Sequence, residues 1–217
     1  MKTKTTIILA TVIILLSLIA GAFVYEQLPD TMASHWGPDG QVDGYMGKFW
    51  ATFMVPLTSL FVLGLYLIIP YLDPLKENIA KFREAFNLFI ILIIAFLGYV
   101  WALTIIWNLG KTSFDMSGAI LPAVGILFFF VGYMLRKAKR NWFIGIRTPW
   151  TLSSDKVWDE THRLGATLFM VSGALALLGA FFGDKAIWFI LIPVFGTTIF
   201  LYAYSYVLYQ NETKPAG

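Results

Sequence analysis

The charges of this chain avoid six windows, 5–25, 49–71, 86–108, 118–135, 165–183 and 186–209, none of which holds an Asp, Glu, Lys or Arg. A helix needs about 20 predominantly apolar residues to cross the hydrocarbon core of a bilayer. Six windows of that kind with their short links use nearly all of the 217 residues and leave no room for a separate soluble domain. The expected fold is an all-α integral membrane protein, a six-helix transmembrane bundle that forms one membrane domain over residues 1–217. Composition agrees: 58% of residues are hydrophobic and only 13% charged, outside the soluble range. Lys2 and Lys4 before an apolar run, with Ala20-Gly21-Ala22 at its end, imitate a secretory signal peptide. Retention as a first span is the expectation.

Orientation follows from the basic residues. The amino terminus, the second and fourth links and the tail hold 13 of the 16 Lys and Arg, and the other three links hold one each. Both termini are therefore expected in the cytoplasm, with an outside loop at 26–48 and an inside loop at 136–164. The net charge of +3 is then a topology signal with an affinity for anionic lipid heads, not a sign of direct nucleic-acid binding. The absence of cysteine excludes disulfides and thiolate metal sites.

The outside loop, EQLPDTMASHWGPDGQVDGYMGK, carries four carboxylates against one lysine. Its Gly, Pro and Asp residues are turn formers, so turns or short strands are expected there rather than a helix. His35, Asp39 and Asp43 recur every four residues, which would align them for a metal only on a helix. Gly37, Pro38 and Gly40 oppose that, so no metal and no other cofactor is expected. Trp36, Tyr45, Phe49 and Trp50 suit the headgroup layer. The second link, DPLKENIAKFREAFN, spaces Leu75, Ile79, Phe82 and Phe86 as an amphipathic surface helix.

The fourth link, NWFIGIRTPWTLSSDKVWDETHR, is the least bland stretch of the chain. Arg136, Lys137, Lys139 and Arg140 precede it and serve topology. Pro149 keeps Thr148 out of helix, so 141–150 is expected to be irregular. Ser153 or Ser154 then caps a helix that continues into the fifth span, with Asp155 in its first turn. Asp159 and Arg163 have i,i+4 spacing, and Trp158 and His162 share a stripe. Arg147 is placed to stack on Trp150 or Trp158 or to reach Asp155, Asp159 or Glu160. It either ties the loop to the fifth span or forms a basic, aromatic docking surface.

His162 has carboxylate neighbours but no nucleophile motif, and His35 is expected across the membrane, so no catalytic residues are assigned. The spans offer only neutral polar groups, among them Asn87, Thr104, Asn108, Ser172, Thr197, Thr198 and Ser205, which suit interhelical hydrogen bonds.

Two quoted stretches resemble known families. LPDTMASHWGPDGQVDGYMGK resembles a first-loop module of unknown function in bacterial and archaeal membrane proteins. IGIRTPWTLSSDKVWDETHRLG is similar to the signature of the SdpI family of immunity proteins, on Gly145, Ile146, Arg147, Thr148, Pro149, Trp150 and Thr151, then Trp158 and His162. The resemblance implies a multipass plasma-membrane protein that protects its host from a secreted toxic peptide, and that holds a cytosolic repressor when the toxin is present. Candidate peptide- or partner-binding residues are His35, Trp36, Gly37, Asp39, Asp43, Arg147, Thr148, Pro149, Trp150, Trp158 and His162. A small transporter or lipid-interacting protein is the first alternative, and a metal-dependent hydrolase built on His162 the second.

Overall fold

The computed structural model describes residues 1–37, 40–110 and 114–214. Its elements in chain order are α1 Thr3–Val24, the strands β1 Thr31–Trp36 and β2 Val42–Gly47, α2 Lys48–Leu72, α3 Lys76–Lys81, α4 Arg83–Asn108, α5 Met116–Lys137, α6 Pro149–Ser153, α7 Asp155–Gly179 and α8 Trp188–Thr213. The six long helices α1, α2, α4, α5, α7 and α8 are long and apolar enough to cross a membrane. Large apolar side chains such as Phe23, Phe61, Phe195 and Ile199 stand exposed along them. Lipid rather than water is the solvent that tolerates such faces.

The helices pack as two triplets. α1, α2 and α4 contact one another, α7 packs on both α5 and α8, and α4 against α5 is the principal helix joint between the groups. One end of the bundle gathers the described ends of the chain with the 73–83 and 138–154 links: the amino terminus lies 3.7 Å from Glu84, and the Ser154 hydroxyl donates to Glu212. The opposite end carries the β1–β2 hairpin.

The seam between α5 and α7 depends on small residues. A Cβ at Gly173 would fall 2.5 Å from the Gly125 carbonyl oxygen and 2.6 Å from the Phe129 nitrogen, and one at Gly132 would fall 2.5 Å from the Ala166 carbonyl oxygen. Backbones this close gain dispersion contacts that lipid tails cannot match. Pro56 inside α2 deprives the Thr52 carbonyl of its usual partner, and the Trp101 indole of α4 donates to it at 2.8 Å. The kink-prone proline thus becomes a helix-to-helix bond.

The helix expected to start at Ser153 or Ser154 is present: Ser154 caps α7 by accepting from the Val157 N–H, and the helix runs on to Gly179, where Phe181 and Phe182 tighten the chain into i,i+3 hydrogen bonds. Two expectations need correction. The second link is not one amphipathic surface helix leading into the third span. α3 stops at Lys81, and Ile79 and Phe82 are buried in the central core. The 141–150 stretch is irregular only to Thr148, because Pro149 opens α6. The expected short strands of the first loop are present, paired antiparallel with a register shift between Ala33 and Trp36. The third link, 111–113, lies outside the described residues.

Gly173→Ala should destabilise the protein by at least about 2 kcal/mol, since the clash is with backbone. Gly196, which has nothing within 4 Å of its would-be Cβ, is the control. Thermal unfolding in detergent should show a clear fall for the first variant and no fall for Gly196→Ala.

Candidate functional site

The segment from Ala138 to Thr148 leaves helix between two membrane-spanning helices, and many of its peptide groups are paired with side chains. The Trp142 N–H donates to the Asp73 carboxylate at 2.9 Å, and the Phe143 and Ile144 N–H groups donate to the Asn141 side-chain oxygen at 2.9 and 2.6 Å. The Ile146 N–H donates to Nε2 of His162 at 3.0 Å, and the Thr148 N–H to the Thr151 hydroxyl at 2.9 Å. The carbonyls are met in the same way. Ala138 accepts from the Trp158 indole, Lys139 and Ile144 from the Asn141 amide, Arg140 from the Asn78 amide, Trp142 from Arg147, and Ile146 from the Thr151 hydroxyl.

Trp158, His162, Asn141 and Asp73 are at most 2% exposed. The His162 ring lies stacked on Trp158 with centroids 3.9 Å apart, and its Nδ1–H donates to the Trp158 carbonyl at 2.8 Å. Since Nε2 must present a lone pair to Ile146, these bonds call for the neutral Nδ1–H tautomer. Gly145 crosses this stack at φ 119°, and a Cβ there would fall 2.5 Å from His162 Nε2. Only glycine combines that torsion with that approach.

Thr148 caps α6 in a reciprocal box with Thr151, and its hydroxyl lies 3.1 Å from the Ser205 hydroxyl on α8. Trp150 packs its ring against Tyr202 and Tyr206 of α8. Arg147 does not stack on an indole and does not reach Asp155, Asp159 or Glu160. It is exposed, and its guanidinium donates to the Trp142 carbonyl at 2.7 Å. Nor do Asp159 and Arg163 pair: Lys139 takes Asp159 at 3.1 Å, and Arg163 turns to Glu160. Arg140 bonds Asp155 at 2.7 Å and the Leu152 carbonyl at 2.8 Å, so two of the four leading cations fasten the link to α6 and α7.

At the other end, His35 on β1 and Asp43 on β2 face each other, with the imidazole Nδ1–H donating to the carboxylate at 2.5 Å. Trp36 sets its ring edge against Trp107 at 5.6 Å, and Gly37 is buried at the turn. Asp39 lies outside the described residues. Asn108, at the end of α4, accepts from the Ala33 N–H and donates to the Ala33 carbonyl, which holds β1 as a neighbouring strand would. The candidates therefore form two groups at opposite ends of the bundle.

Asp73, Asn78 and Asn141 were missed by the sequence reading. Their signals are weak: an Asp-Pro after a span, an Asn in a short amphipathic stretch, and an Asn after Arg140. Of the neutral polar residues named for interhelical bonding, Asn87 bonds Tyr66 at 2.6 Å, Asn108 bonds the hairpin and Ser205 bonds Thr148. Thr104, Ser172 and Thr198 instead bond carbonyls of their own helices.

Comparison with known proteins places both groups inside matched segments. Residues 137–205 match the SdpI/YfhL protein family, and residues 12–60 match a domain of unknown function, DUF1648. The immunity protein SdpI of Bacillus subtilis (strain 168) is 25% identical over 206 residues, which cover 94% of this chain and 96% of that protein. No solved structure matches. The resemblance carried by the two loops thus extends along the chain, and with six spans it makes this a multipass plasma-membrane protein.

Asn141→Ala strands two buried N–H groups and two carbonyls and should destabilise the link by about 1–3 kcal/mol per unpaired group. His162→Phe keeps a ring on Trp158 but removes the acceptor for Ile146. Hydrogen exchange should show faster exchange across 142–146 in the first variant and chiefly at Ile146 in the second, with α1 and α2 unchanged.

Proposed function

We propose that this chain, which carries the SdpI/YfhL segment at 137–205, is a non-enzymatic immunity protein of the plasma membrane that counters a secreted toxic peptide. The observation that carries this reading is the end-to-end likeness to the immunity protein SdpI, with both unusual loops inside the matched segments. The hairpin end is placed outside and the end with the termini in the cytoplasm, because the latter holds 13 of the 16 basic residues. His35, Trp36 and the acidic first loop would meet a cationic, hydrophobic peptide.

The chemistry of the histidines supports a non-catalytic role. Both ring nitrogens of His162 serve the fold, and Nδ1 of His35 is engaged by Asp43. Within the 141–148 stretch, Trp142, Phe143 and Arg147 are exposed. We assign to this set the docking of a cytosolic partner such as a repressor, since aromatic and arginine side chains supply most binding energy at interfaces. Trp150 and Trp158 are engaged inside the bundle. A cavity between the helix triplets favours the second reading, a small transporter. Flux across liposomes separates the two, because a receptor should move no solute.

Expression in a peptide-sensitive bacterium tests immunity, and unchanged killing by every candidate peptide overturns it. Arg147→Ala should abolish the response while membrane abundance stays within about twofold of wild type, since an exposed hydrogen bond contributes only about 1 kcal/mol. Gly145→Ala should lower abundance and response together. Immunoblots of membrane fractions beside survival curves read both.

A further inference from the structure

The apolar interior is continuous at the end that holds the termini and divided at the hairpin end. One core there comprises Leu28, Met32, Ala51, Trp101 and Ile105, from the first triplet and the hairpin. The other comprises Leu121, Ala176, Ala186 and Ile190, from the second triplet. Between them lies a cavity of about 550 Å³, inside the range of about 300–1,000 Å³ typical of ligand sites. Its apolar walls include Met54 and Val55 of α2, Val100 of α4, Leu121 of α5, and Ile190 and Val194 of α8. His35, Trp36, Thr104, Asp115 and Ser117 add polar groups to the lining.

A further observation narrows the occupant. Among the described residues, the segments at this end carry four carboxylates, Glu26, Asp30, Asp43 and Asp115, against Lys48 and Lys185. Of these lysines, Lys48 lies 3.8 Å from Asp30. An apolar slot under an acidic rim complements a chain that is apolar on one side and cationic on the other, and it repels anionic lipid heads.

We propose that this cavity seats a cationic amphipathic peptide. Its apolar side chains enter between the two half-cores, and its basic side chains face Asp43 and Asp115. The identity of that peptide as a toxin rests on the immunity reading; the site itself rests on the cavity and the charge.

The test uses full-length protein in a nonionic detergent and a dansyl-labelled amphipathic helix of Leu and Lys, with a second probe in which Gln replaces each Lys. Val100→Trp fills the slot, and Thr104→Phe narrows the same wall should the first variant not fold. Asp43→Asn with Asp115→Asn removes charge but keeps a capping residue for α5. The lysine probe should bind wild type saturably, at least tenfold more weakly when the slot is filled, and several-fold more weakly when the charges are removed. Equal binding to wild type and the filled variants, equal binding of the two probes, or a co-purified phospholipid that the probe cannot displace each overturns the proposal. Survival assays keep the two readings apart. Protection retained by Val100→Trp defeats the site and leaves immunity standing, whereas probe binding by a wild type that protects no cell defeats immunity and leaves the site standing.

Discussion

A peptide group that leaves helix loses its intrahelical partner, and each one buried unpaired costs on the order of several kcal/mol. The 138–148 segment, which lies outside regular structure, meets that constraint with side chains, its own Asn141 and Arg147 among them. Asp73, Asn78, Asn141, Thr151, Trp158 and His162 supply the partners. Apart from Asn141, which belongs to the segment itself, these residues come from the 73–78 link of the first triplet and from α6 and α7. Pairing the segment therefore also joins the two triplets, and the bond Thr148 makes with Ser205 adds α8.

The opposite end has no comparable requirement. There the chain leaves helix as a hairpin, whose strands satisfy much of their own backbone, and Asn108 pairs one peptide unit of β1 with α4. Contacts between the triplets at this end include the bond from Tyr99 to the Ala119 carbonyl and the 3.3 Å bond from Ser117 to the Gly37 carbonyl. One core becomes two, and space opens between them. The asymmetry of the bundle, closed at one end and slotted at the other, thus follows from where backbone polar groups had to be paired across the triplets.

Much of this plan was legible because membrane spans announce themselves by what they exclude. Six charge-free windows located six helices, and Gly-Pro-Asp-Gly chemistry ruled a helix out of the first loop in favour of strands. Partner choice was not legible, since it depends on which links fold over which. Asp159 and Arg163 had ideal helical spacing, yet Lys139 and Glu160 stand closer in space, and no linear pattern contains that. Asp73 looked like an ordinary helix-ending residue and is buried because the Trp142 N–H, distant in sequence, needs an acceptor. The Ser154 cap of α7 was legible, whereas its end was not, because Phe181 and Phe182 are apolar residues in a turn.

The motif from Gly145 to His162 mixes two kinds of residue, and burial separates them. Gly145 exists to let the backbone pass the His162–Trp158 stack, Thr148 and Thr151 cap α6, and Trp150 fills the face of α8. Each has its polar atoms or its ring area committed inside the bundle. Arg147 has one exposed hydrogen bond to the Trp142 carbonyl, and lysine or glutamine could donate to that oxygen as well. The fold explains a donor at this position but not a guanidinium. Trp142 and Phe143 stand exposed beside it in the chain, so the guanidinium belongs to an aromatic, basic surface rather than to the packed interior.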